Sequence, residues 1–168
     1  MSVKFRRYVI RPKEAKVSIA EASEKIGINI DELIGSKAVI EVAEADFVQV
    51  ILADKKPILF RTGKDVWPIL TNQDLILQIP KVVVDMGAVP HLCNGADLMA
   101  PGIRGFEGDF KKDGVVVVID EKHRKPIALV EAYFDLETVK STKKGAVFKS
   151  VHYVGDQVWN FAKTLVEK

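Results

Sequence analysis

A single cysteine, Cys93, stands in a chain of 168 residues. No internal disulfide can form, and the composition suits a reducing cytoplasm. Long apolar runs are missing as well. The strongest is Val115 to Ile119, far below the ~20 residues of a membrane span, so no membrane partner is expected. The stretch from Met1 to Arg7 contains no apolar signal core, and no secretory leader is expected. Neither sign of charge dominates: 25 Lys+Arg oppose 23 Asp+Glu, a net of +2. That balance excludes a uniformly basic coat for nucleic acid.

Chemical motifs are equally scarce. The chain has no Walker loop, no dinucleotide glycine pattern and no Gly-x-Ser-x-Gly elbow. Thr142 to Gly145 holds Lys and Gly without the phosphate-loop frame. The histidines are His91, His123 and His152. His91 and Cys93 lie two apart, but no second Cys or His pair at a metal-like spacing supports zinc. Cys93 reads as a small buried thiol. His152 reads as a hydrogen-bonded, partly buried residue, and His123 as a solvated tip. Glu107, Asp109 and Asp113 flank turns without a catalytic spacing. No catalytic residue, metal or cofactor is expected, and binding is the favoured activity.

What is present is a hydrophobic fraction of 48% and a mean hydropathy of +0.08, enough for a core without staples. Charge is polarised along the chain. Residues 1–16 carry a net of +5, with Lys4, Arg6, Arg7 and Arg11 in a basic cluster, and residues 17–54 a net of −6. This predicts a second basic patch for phosphates beside an acidic face.

Periodicity predicts a strand over residues 3–10, a helix with Pro12 in its first turn and Gly27 at its end, and a short helical turn at 31–35. Apolar runs at 38–43, 47–52, 57–61 and 66–70, separated by turn residues, predict an antiparallel meander. Residues 71–80 read as a connector whose Leu75, Ile76, Leu77 and Ile79 pack. Beyond it, strands are expected at 81–85, 98–103, 114–119, 126–134 and 146–153. A brief helix is expected around Pro90, a helical turn at 135–140 and a terminal helix at 156–166. The fold class is α+β, with domains 1–78 and 79–168, the second a small, partly closed barrel carrying the terminal helix.

The informative segment is Gly87 to Ile103, where glycines bracket a short helix and the following strand. Glycine lets another backbone approach closely, so the segment can hold a nucleic-acid end by shape. Lys81, Arg104, Lys143, Lys144 and Lys149 are the candidate phosphate contacts.

Three stretches carry a resemblance: Val82 to Val89, Asn94 to Ile103 and Phe106 to Asp109, followed by a valine-rich strand and Pro126 to Ala132. Together they resemble the PUA domain, named for pseudouridine synthases and archaeosine transglycosylases. Gly145 to Trp159, Lys56 to Phe60 and Val66 to Leu70 resemble archaeal relatives of the malignant-T-cell-amplified-sequence proteins, the translation machinery-associated protein 20 family. The resemblance implies a small α/β pre-PUA domain followed by a PUA pseudo-β-barrel, without catalysis. It implies RNA-facing positions at Gly87, Ala88, His91, Gly95, Ala96, Asp97, Leu98, Met99, Ala100, Pro101, Gly102 and Ile103. It also implies the small ribosomal subunit and a density-regulated-type protein as partners. The Gly155-Asp156 pair departs from the turn of eukaryotic relatives, so the partner surface is expected to differ.

Three functions follow. The favoured one is a cytoplasmic, ribosome-associated protein that engages the tRNA acceptor end or ribosomal RNA as a translation accessory factor. The others are a protein–protein adaptor on the ribosome and an accessory chain of an RNA-modifying enzyme.

Overall fold

The computed structural model describes residues 2–166, which divide into two units: residues up to Leu77 together with those from Gln157 on, and Gln78–Asp156. The first unit opens with strand β1 (Phe5–Ile10) and helix α1 (Pro12–Ile26). Pro12 occupies the first turn, where its missing N–H satisfies nothing in any case. Ala15, Ile19, Ala22 and Ile26 form the buried stripe, and Gly27, at φ 71°, closes the helix with its N–H on the Ser23 carbonyl at 2.9 Å. Helix α2 (Ile30–Ile34) starts from Asn29, whose Oδ1 accepts the Glu32 N–H.

Four strands complete an antiparallel sheet in the order β1-β2-β3-β4-β5: β2 (Ile40–Ala45), β3 (Val48–Ala53), β4 (Lys56–Thr62) and β5 (Asp65–Pro68). The expected meander is therefore present. Helix α3 (Gln73–Leu77) forms from the connector, with Leu75, Ile76 and the following Ile79 buried. Leu77 departs from the expectation and is 72% exposed, because a one-turn helix can bury only one side.

The second unit is built on a curled six-stranded half-barrel. Its elements are β6 (Lys81–Val84), α4 (Val89–Leu92), β7 (Leu98–Met99), a 3-10 turn (Ala100–Gly102), β8 (Ile103–Glu107), β9 (Val115–Asp120), β10 (Pro126–Ala132), α5 (Leu136–Ser141) and β11 (Ala146–Tyr153). The strand order is β7-β11-β10-β9-β6-β8. Among the described residues only the β6–β9 pair is parallel, with Val84 beside Asp120. Every residue of β9 is buried, which is why it reads as a continuous valine run rather than an alternation. Val82, Val84, Leu92, Leu98, Phe110, Val118 and Phe148 anchor the core.

Two features differ from the sequence expectation. The strand expected over 98–103 is interrupted after Met99 by the 3-10 turn, and residues 103–107 add a strand the periodicity does not predict; as a half-exposed edge strand with Gly105 at its centre, β8 carries no clear alternation. The terminal helix α6 (Gln157–Val166) groups with the first unit, not with the barrel. Its buried stripe is Val158, Phe161, Ala162 and Leu165, and Phe161 meets Phe5 and Phe47 edge-on at 5.2 and 5.9 Å between ring centroids. The match between that stripe and two phenylalanines of the first unit sets its place. No helix among the described residues is long and apolar enough to cross a membrane.

Candidate nucleic-acid interface

The groove begins where β6 ends. Asp85 Oδ1 accepts the Ala88 N–H at 2.9 Å, closing the turn that leads into α4. Asp85 N–H donates to the Gly102 carbonyl at 3.0 Å, and Asp85 Oδ2 accepts from Arg104 Nη2 at 2.8 Å. One aspartate thereby holds the 85–88 turn against the 100–104 segment. The stretch from Met99 to Ile103 crosses the mouth of the half-barrel. Met99 pairs with Ala146 of β11 at one end, and Ile103 pairs with Val84 of β6 at the other.

Beneath this crossing lies an open groove of about 670 Å³. Gly87, Ala88, His91, Ala96, Asp97, Leu98, Met99, Pro101 and Gly102 line it, all of them singled out from sequence. Asp85, Leu92 and Ala146 line it too. None of the three is among the site candidates from sequence, although each lies in a stretch that the sequence marks; Asp85 acts through its bonds, and Leu92 and Ala146 arrive through tertiary packing. The lining is mostly small or apolar, with Met99 half-exposed and the His91 ring exposed. Asp97 is an anchor: its Oδ1 accepts the Ser150 N–H at 2.9 Å and its Oδ2 accepts the Tyr133 hydroxyl at 3.0 Å. That bond raises the Tyr133 hydroxyl above its ordinary value.

The other sequence candidates sit elsewhere. Gly95 has φ +90° and lies against the Tyr153 ring, so it serves packing rather than the groove wall. Ala100 is buried and donates its N–H to the Gly145 carbonyl at 2.9 Å. Ile103 is half-buried in β8, and Arg104, besides Asp85, donates to the Pro101 carbonyl at 3.3 Å.

Lys143 and Lys144 are exposed in the loop whose Gly145 carbonyl receives Ala100, at the β11 side of the groove. Lys149 is exposed three residues beyond Ala146, about 10 Å along the strand. Lys81 lies at the far end of β6 from Asp85. Its Nζ donates to the Ile79 carbonyl at 2.6 Å, and burial lowers its pKa. The geometry thus removes Lys81 from the groove.

The second basic patch is also changed by the fold. Arg6 is paired with Glu44 directly across the β1–β2 register. Arg7 forks onto Glu41 at 2.9 and 3.2 Å and gives a third bond to the Leu165 carbonyl. Lys4 and Arg11 remain exposed. Strand pairing brings the basic and acidic blocks of the sequence into opposition, so two of the four cationic heads are matched by carboxylates.

Cys93 packs partly buried against the barrel core, and burial pushes its thiol upward, away from the reactive thiolate. His152 is fully buried, more so than expected. Its Nδ1 lies 2.8 Å from Asp156 Oδ2, which also accepts the Tyr153 N–H. Among the described residues no group of three or more His, Cys, Asp or Glu could hold a metal ion.

Comparison with known proteins bears on this geometry. The PUA domain family matches residues 80–154, the whole span of the grooved unit's strands. An uncharacterized protein of Methanocaldococcus jannaschii is 41% identical over 159 residues, covering 93% of this chain and 96% of its own length. Translation machinery-associated protein 20 of Saccharomyces cerevisiae is 30% identical over 155 residues, covering 88% of this chain and 86% of its own. The crystal structure of a PUA domain from Aeropyrum pernix aligns over 98% of this chain and 95% of that one. Its TM-score is 0.86 at 24% identity, a likeness of fold.

Proposed function

Because the chain belongs to the translation machinery-associated protein 20 family and carries its PUA domain, we propose that it is a non-catalytic RNA-binding protein. It engages the tRNA acceptor end or ribosomal RNA through the groove, as a cytoplasmic accessory factor in initiation or recycling. The observation that carries this reading is the open groove of about 670 Å³ built from Gly87, Ala88, Ala96 and Gly102 on an RNA-binding fold. Small residues leave backbone within reach of an RNA strand. The apolar floor formed by Leu92 and Leu98 suits an unstacked base, the feature by which structured RNA is told apart. Lys143 and Lys144 at the groove's edge add salt-sensitive attraction for phosphates.

Filter binding with tRNA, intact and lacking its 3′ terminal nucleotides, tests this. Intact tRNA binds more tightly; affinity no better than that of a basic control protein at moderate salt refutes the reading. The same protein incubated with nuclease-treated extract tests the adaptor reading. In that reading a density-regulated-type protein or the small ribosomal subunit docks on the acidic face of residues 17–54 or on the terminal helix around Trp159. A partner that persists after nuclease supports it.

A further inference from the structure

The groove has a second flank to which sequence gives no role. The β6–β9 pairing is parallel, so both strands end at the same place, and Asp85 leaves β6 beside Glu121 leaving β9. Two hydrogen bonds fasten them: Glu121 N–H to the Val84 carbonyl at 2.9 Å, and Met86 N–H to Glu121 Oε2 at 3.3 Å. Met86 sits between Asp85 and Gly87, both groove residues. The β9–β10 hairpin tip, with exposed Lys122, His123 and Lys125, is thus tied to the β6 side of the groove. Lys143 and Lys144 stand at the β11 side. Only the four steps from Met99 to Ile103 separate the two sides, at most about 14 Å of chain.

The tip is rigid. Asp120 is 4% exposed, and its carboxylate accepts the N–H groups of His123 and Lys125. Arg124, in the left-handed region at φ 55°, is engaged with Glu107. A turn held this way displays its lysines with little further ordering to lose on binding.

We propose that the Lys122–Lys125 hairpin tip is a second phosphate-contacting element, which grips the sugar–phosphate backbone of the RNA whose end occupies the groove. Lys122 and Lys125 are its contacts, opposite Lys143 and Lys144. This rests on the groove being the RNA site, and the test separates the two.

The probe is a hairpin RNA copying a tRNA acceptor stem with its single-stranded 3′ tail, titrated by fluorescence anisotropy across a salt series. The double variant Lys122→Ala/Lys125→Ala lowers the slope of log K against log salt by about 1.5, one phosphate contact for each lysine removed. Its melting temperature stays that of the wild type. Lys143→Ala/Lys144→Ala gives a comparable loss, and Lys111→Ala/Lys112→Ala, on a turn outside the groove lining, gives none. An unchanged slope for the tip variant, with wild-type protein still distinguishing tailed from untailed RNA, overturns the tip and leaves the groove standing. Equal loss from the Lys111/Lys112 pair also overturns it, as diffuse attraction. If the wild type ignores the tail, the groove reading itself fails.

Discussion

Glycines of the second unit offer a substitution that fills the groove without disturbing the fold, and another that does the reverse. A Cβ added at Gly87 meets Asp85 Oδ1 at 3.4 Å, an ordinary contact, and the residue is exposed and outside the left-handed region. Gly87→Ala therefore leaves stability within about 0.5 kcal/mol of wild type, or raises it slightly by restricting the unfolded chain. Gly87→Trp places an indole over a groove of about 670 Å³ and obstructs it. At Gly95 the added Cβ lies 3.3 Å from the Tyr153 ring with φ at +90°. Gly95→Ala costs about 1–2 kcal/mol for the left-handed backbone alone, or roughly 2–8 °C of melting temperature in a chain of this size.

The assay pairs thermal denaturation with tRNA binding at fixed salt. Gly87→Trp melts as wild type and loses at least tenfold in affinity, whereas Gly95→Ala melts lower and, while folded, binds nearly as wild type. A Gly87→Trp protein that is fully folded and binds unimpaired would refute the assignment of the groove.

Further expectations concern the charges. Arg7→Ala leaves the half-buried Glu41 without its fork and the Leu165 carbonyl without its donor, costing about 2–3 kcal/mol in urea denaturation. Arg7→Met/Glu41→Leu recovers most of it, because no charge is then left unpaired; a double variant as unstable as the single one counts against that account. Asp120 is held below the usual carboxylate range chiefly by the His123 N–H, with Lys125 and Lys122 backbone adding, against the burial that pushes it up. Its folded value lies under its unfolded value of about 3.9, so its contribution is complete above that pH and fades as the pH falls through the folded value. Asp120→Asn lowers stability by about 1–2 kcal/mol at pH 7. The gap from wild type narrows between pH 4 and 2, and stability curves that stay parallel over that range contradict this.

Local signals made much of the fold legible. Pro12 and Gly27 mark both ends of α1, and turn residues mark the hairpins of the first sheet. The groove was legible for a related reason: close backbone approach demands small residues, and Gly87, Ala88, Ala96 and Gly102 stand within sixteen positions of one another. What sequence could not supply was non-local pairing. Lys81 is a near neighbour of Asp85 along the chain, yet a strand puts them at opposite ends. The Arg6 and Arg7 partners lie more than thirty residues away. Glu121, at the base of the hairpin tip, reaches Met86 only because β6 and β9 run in the same direction. Phe161 likewise reads as part of the barrel until the rings of Phe5 and Phe47 show where it packs.

The place of α6 bears on how the chain matures during synthesis. The barrel unit is continuous, and all its strands have been made by Tyr153. The first unit, though begun earlier, lacks Phe161, among its largest fully buried side chains, and the Leu165 carbonyl that receives Arg7, until the last helix emerges. Vectorial synthesis therefore favours the grooved unit reaching its native packing first, while the segment that starts the chain is completed last.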